Sequence, residues 1–247
     1  MCLSHRMTDA FAKLPTNPRM AENTLIIFVK NPIAGTVKTR IARTVGNERA
    51  VEVYQHLLRH TQTITRLLTC RRVVYYGDFI NPDDGWNGYE KQLQSGQNLG
   101  ERMLEAFREQ LTPSKNDLSS EGLNPGRVPP DRTHPGRAVI IGSDCLSITP
   151  GHIEQAFLAL NDADVVIGPA TDGGYYLLGM KKLHQFLFEN MPWSQPELRQ
   201  RTEQALLQHG LTFALLEELT DIDEWTDYEN ELLKYDQLER LSGNDLS

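Results

Sequence analysis

Five apolar residues in unbroken succession, Leu25-Ile26-Ile27-Phe28-Val29, constrain this chain more than any other feature. A strand with one wet face alternates apolar and polar side chains, whereas a strand covered on both faces reads as a continuous apolar run. The run therefore predicts a parallel strand held between two layers of helices. Further strands are expected at residues 72–77 (RVVYYG), 138–141, 164–168, 175–178 and 211–216, separated by amphipathic or turn-rich stretches.

Helical spacing fills the intervals. A short helical stretch starts near Val37, and a longer helix near Asn47 places Val51, Tyr54, Leu58, Thr61, Ile64 and Leu68 along one face. Residues 99–111 carry Leu99, Met103, Phe107 and Leu111 at four-residue steps, and Thr149-Pro150 opens a helix with Ile153, Phe157 and Leu160 on its buried stripe. A helix over 196–209 closes at Gly210, and Thr226-Asp227-Tyr228-Glu229 has the pattern of a capping box. Strands alternating with helices predict one α/β domain, a mostly parallel sheet flanked by helices, over residues 24–247. Residues 1–23 lack periodicity and are expected to form a flexible tail, and the proline-rich stretch 112–136 a flexible insertion within the domain.

Composition narrows the partners. With 25 Lys and Arg against 33 Asp and Glu, the net charge of −8 opposes nucleic acid and anionic membranes, so any phosphate ligand needs a local basic site. No apolar run is long enough for a membrane span, and Cys2, Cys70 and Cys145 have no paired spacing. A cytoplasmic protein with reduced thiols is expected.

In open parallel sheets, ligands bind beyond the carboxyl ends of the strands, which selects four segments. The first, Asn31 to Arg40 (NPIAGTVKTR), has Gly35 for a tight turn and Lys38 and Arg40 at the mouth of a helix. Cations there oppose the helix dipole, so an anion such as a diphosphate makes sense of them, although a solvated basic turn is the plain alternative. The loop lacks the glycines of a Walker A or dinucleotide-binding motif. In the second, Ser143-Asp144-Cys145, a carboxylate at the end of a buried strand needs a cation, water or a hydrogen-bond network. The third, Asp172-Gly173-Gly174-Tyr175-Tyr176, pairs a carboxylate with two residues without Cβ, which suits a sugar hydroxyl or an ordinary β-turn. The fourth, Asp221-Ile222-Asp223, puts two carboxylates on one side of an extended chain. One of the two would complete an oxygen-ligand site for Mg2+ or Mn2+ with Asp144, although aspartates at a helix entry are common without a metal. Trp193, beside Met191 and Pro192, is a candidate acceptor wall, although packing alone accounts for an aromatic there. The seven histidines are scattered and receive no catalytic role.

NPIAGTVKTR, the stretch Gln97-Asn98-Leu99-Gly100-Glu101-Arg102-Met103, IGSDC and GPATDGGYYLLG together resemble the glycosyltransferase-A-like family of arsenosugar-biosynthesis-type, or radical-SAM/selenodomain-associated, glycosyltransferases. The resemblance implies a nucleotide-diphospho-sugar transferase fold, with Lys38 and Arg40 as the basic pair, Asp144 as the strand-end metal ligand, and Asp172 to Tyr175 as a DGGY motif. Gln97, Gly100 and Arg102 match the family's helix entry. Where the family reads S-D-C-P-D-L, this chain has Ser143-Asp144-Cys145-Leu146-Ser147-Ile148, and a second carboxylate is absent.

The expected activity is metal-assisted transfer of a sugar from a nucleotide-diphosphate sugar to a small acceptor. Lys38 and Asp172 are the expected catalytic residues; Gly35, Lys38, Arg40, Gln97, Gly100, Arg102, Ser143, Gly173, Gly174 and Tyr175 the substrate contacts; Asp144 and Asp223 the metal ligands. The alternatives are a nucleotidyltransferase of the molybdenum-cofactor or phospholactate guanylyltransferase type, whose K-x-R-like loop is similar, and a non-catalytic nucleotide-binding relative.

Overall fold

The structure is a computed structural model that describes residues 23–112 and 136–243, with side chains described to residue 234. The expectations for the tail and for the insertion core lie outside the described residues. Seven strands form one sheet in the order β3-β2-β1-β4-β6-β5-β7. They are β1 (Asn23–Val29), β2 (Arg71–Tyr76), β3 (Glu90–Leu93), β4 (Arg137–Ile141), β5 (Val165–Pro169), β6 (Tyr175–Met180) and β7 (Phe213–Leu215). Only β6 runs antiparallel to its neighbours.

The apolar run is the sheet's spine. β1 lies between β2 and β4, with Leu25, Ile26 and Ile27 wholly buried. Its alternate side chains serve two cores. Leu25, Ile27 and Val29 pack with helices α1 (Thr39–Val45), α2 (Asn47–Arg66) and α4 (Pro150–Ala159), and with Tyr228 of α6 (Trp225–Gly243). Ile26 and Phe28 face Met103 and Phe107 of α3 (Leu99–Leu111) and, through the shared cluster, Leu206 of α5 (Leu198–Gln208). Because the chain passes from β1 to β2 and β3 on one side and returns to β4 on the other, a crevice opens at the carboxyl ends of β1 and β4.

Helix entries largely follow the expected chemistry. Asn98 caps α3 by accepting from the Glu101 N–H at 3.0 Å, and Thr149 with His152 forms the cap of α4. The last helix differs. Asp227 accepts from the backbone of Asp223 and Glu224, so α6 begins at Trp225 and Thr226 is not its cap. Strand β3 was not expected, because an edge strand of sequence EKQL with one partner needs no apolar face.

Candidate active site

The loop after β1 is fixed at both ends. Lys30 donates its N–H to the Tyr54 hydroxyl at 2.9 Å, and Asn31 donates to Asp78 and to the Phe79 carbonyl. Gly35 takes φ +80°, then Lys38 itself adopts a left-handed backbone, φ 47° and ψ 45°, as the residue that opens α1. This conformation is disfavoured for a residue with a Cβ. Val37 and Ile41, both buried, clamp the turn on either side.

The turn aims the lysine inward. Only 7% of the Lys38 side chain is exposed, and its Nζ lies 2.9 Å from Asp144 Oδ1 and 3.7 Å from Asp223 Oδ1. Arg40, which is exposed, reaches Asp223 Oδ2 at 3.0 Å. The Ile222 N–H donates to the Asp144 carbonyl at 2.8 Å, which carries residues 221–223 to the end of β4. Burial alone would lower the Lys38 pKa, but Asp144, Asp223 and Asp221 outweigh it, and the ammonium is held above its ordinary value. Asp221 shows the opposite excess. Burial, then the charge of Asp144, push its carboxyl up to about 7 against the pull of Lys38. The cluster therefore carries more carboxylate than its two cations neutralise.

That imbalance gives a pH prediction. A carboxyl whose folded pKa exceeds its unfolded value binds the extra proton only in the folded state, so its contribution is complete below about 4 and is lost as pH rises through 7. Relative to wild type, Asp221→Asn should thus be more stabilising at pH 8 than at pH 5, by on the order of 2 kcal/mol in chelator-treated protein. Denaturant unfolding at the two pH values checks it; an equal difference at both would remove Asp221 from the account.

The cleft above the strands has a volume of about 580 Å3, within the range of small-molecule sites. Lys38, Arg40, Arg102, Ser143, Asp144, Asp172, Gly174, Tyr175 and Asp223 of the expected set line it together. Asp172 is exposed and orders its own turn, its Oδ1 accepting from the Gly174 N–H at 2.8 Å. Ser143 is buried and meets the Tyr54 hydroxyl at 3.2 Å.

Four expected contacts lie elsewhere. Gly35, Gln97, Gly100 and Gly173 are absent from the cleft lining. The Gln97 N–H is taken by Glu101, and Gly100 and Gly173 are small because protein, not ligand, lies against them. A Cβ on Gly100 would stand 2.3 Å from the Trp193 indole nitrogen, and one on Gly173 2.0 Å from the Pro196 carbonyl oxygen. Conversely, Tyr54 and Gln94 line the cleft but were not expected there, while Trp193, the candidate acceptor wall, and Asp221 of the fourth segment line it as well. Tyr54 reads as one more member of an apolar helix stripe, and Gln94 follows the strand whose sequence carries no signal.

The expected metal pair also needs restating. Among the described residues no group of three or more His, Cys, Asp or Glu side chains is placed to form a metal cage. Asp144 and Asp223 do converge on one cation, the Lys38 ammonium. Two carboxylates and surplus negative charge suit a hard ion that completes its shell with substrate phosphates and water. The missing family carboxylate is immaterial to the cleft: Leu146 is buried in the core, and Ser147 donates to the buried Glu231 of α6.

Sheet order, crevice and inward-facing lysine define an α/β protein with the nucleotide-diphospho-sugar transferase fold. The chain belongs to the family described as "Uncharacterized protein conserved in bacteria (DUF2064)", whose model matches residues 61–195. That span includes Asp144, Asp172 and Trp193 but neither Lys38 nor Asp223. A protein from Desulfovibrio desulfuricans G20, named a candidate nucleotide-diphospho-sugar transferase, is similar in structure: TM-score 0.68, 27% identity, covering 83% of this chain and 84% of that one. The inositol-1-phosphate CTP transferase from T. maritima shares the fold at TM-score 0.50 and 11% identity, over 84% of this chain and 91% of that one. No curated protein matches the sequence. Among the described residues no helix is long and apolar enough to cross a membrane.

Proposed function

We propose that the chain transfers a sugar from a nucleotide-diphosphate sugar to a hydroxyl of a small acceptor. The observation that carries this reading is the Lys38 ammonium, drawn into the cleft by a left-handed turn and held 2.9 Å from Asp144. A lysine kept charged at the start of a helix and facing a cleft is a counter-charge for phosphate oxygens, and Arg40 adds a second donor beside it. Asp144 and Asp223 would hold Mg2+ or Mn2+ together with the donor phosphates, and the ion would neutralise charge on the leaving diphosphate. Asp172, exposed at the cleft, would take the acceptor proton. The acceptor oxygen bonds to the anomeric carbon as the bond from that carbon to the diphosphate breaks, its electron pair leaving on the diphosphate.

A thermal-shift panel of nucleotide sugars and nucleoside triphosphates, each with and without Mn2+, tests the reading. A nucleotide sugar at ~100 times its dissociation constant should add about 2.7 kcal/mol of stability, and turnover should release a nucleoside diphosphate. Pyrophosphate released from a triphosphate would assign nucleotidyl transfer instead, and nucleotide binding without turnover would assign a ligand-binding role.

A further inference from the structure

The second half of the cleft has a different character from the first. Tyr175, Trp193, Ser194, Gln195 and Leu198 line it without a charge among them, and Asp172 stands on the loop that leads into Tyr175. Of the cations in the lining, Lys38 and Arg40 are paired with Asp144 and Asp223, and Arg102 donates to the Gly96 carbonyl and Gln94.

Trp193 is held firmly for a half-buried surface residue. Its indole edge lies on the backbone of Gly100, Phe188 is parallel to it at 6.4 Å and 10°, and Tyr175 meets it edge-on at 6.5 Å and 83°. Asn190 and Ser194, with φ 55° and 61°, bracket its segment in left-handed backbone. Non-glycine residues persist there only where their surroundings enforce it, and such positions gather at ligand clamps. The Arg199 N–H donates to the Gly173 carbonyl at 2.9 Å, which locks the Trp193 segment to the loop bearing Asp172.

From this wall we infer that the acceptor is an uncharged, ring-bearing alcohol that lies on the Trp193 face with a hydroxyl at Asp172, and that phosphorylated acceptors are excluded. The inference rests on the proposed glycosyl transfer and names its acceptor class. A flat aromatic face favours the C–H face of a sugar or cyclitol ring, whose hydroxyls remain free at the rim. A phosphate monoester would bring a dianion beside Asp172, where Tyr175, Trp193, Ser194, Gln195 and Leu198 supply no cation, and a like-charge contact of this kind acts as discrimination against a competing partner.

The test follows the indole N–H resonances of the full chain, which has three tryptophans. Trp193→Phe assigns the relevant signal. The probes are methyl β-D-glucoside and myo-inositol, each beside its phosphate counterpart, glucose 6-phosphate and inositol 1-phosphate. At least one neutral probe should move the Trp193 signal saturably, bind at least ~10-fold more tightly than its phosphate ester, and weaken in Gly100→Ala, where a methyl displaces the indole. The inference is overturned if a phosphate ester binds as well as its neutral parent, or if no neutral probe moves Trp193. Lys38→Ala separates the two readings: it should abolish stabilisation by nucleoside diphosphate yet leave the neutral-probe shift in place. Loss of the nucleotide effect in wild type sinks the phosphate reading, and loss of the probe shift sinks this one.

Discussion

Lys38→Gly is expected to lower turnover with the donor found by the ligand panel by ~10²–10³-fold, the scale for one electrostatic contact to developing charge, while the melting temperature changes by no more than a few degrees. The two halves of this result have different causes. The ammonium is the cation nearest Asp144, and its removal leaves the leaving diphosphate facing uncompensated carboxylates. The backbone, by contrast, gains: a left-handed residue with a Cβ costs about 1–2 kcal/mol, which glycine avoids. That gain opposes the loss of two ion pairs to carboxylates that are 44% and 42% exposed, which water can resolvate once the lysine is gone. Lys38→Ala removes the same charge but keeps the strain, so its melting point should fall below that of Lys38→Gly at equal activity. Lys38→Arg should rescue poorly, because a planar guanidinium does not fill the place of a compact, almost fully covered ammonium. Wild-type turnover in Lys38→Gly would take the lysine out of the chemistry.

The sequence announces this lysine because a cation at a helix start works against the helix dipole, and such a conflict calls for an anion. The same logic found Asp144 at the end of a buried strand. Legibility fails where a residue's local pattern is ordinary. Tyr54 sits on the apolar stripe of α2, and nothing in the spacing marks its hydroxyl as the acceptor for Lys30 and the neighbour of Ser143. Gln94 follows an edge strand that needs no apolar face, so neither was visible. Glycines mislead for a related reason. A missing Cβ records that something approaches closely, and only coordinates tell that the neighbour at Gly100 is an indole and at Gly173 a proline backbone. The position of Asp223 was legible, but its pairing with Lys38 and Arg40 depends on the contact between residues 144 and 222, which no local pattern contains.

Gly173→Ala is expected to cost about 2–4 kcal/mol of stability, or roughly 5–15 °C in melting temperature for a chain of this size, and to reduce turnover well below that transition. Two penalties combine at this residue. Its φ of +88° is strained for any L side chain, and the added Cβ would stand 2.0 Å from the Pro196 oxygen and 2.7 Å from its carbonyl carbon. Those are backbone atoms, so no rotamer change relieves the clash. Either the segment before α5 moves away and breaks the Arg199 to Gly173 hydrogen bond, or the turn rearranges and displaces Asp172 and Tyr175. Both routes disturb the wall that presents the acceptor. Gly35→Ala isolates the first penalty: φ is +80°, yet no atom lies within 4 Å of its added Cβ. Strain alone then predicts a loss of about 1 kcal/mol there. Equal losses at the two glycines would mean that the collision with Pro196 is absorbed without consequence, and the Trp193 segment would then be far softer than its contacts require.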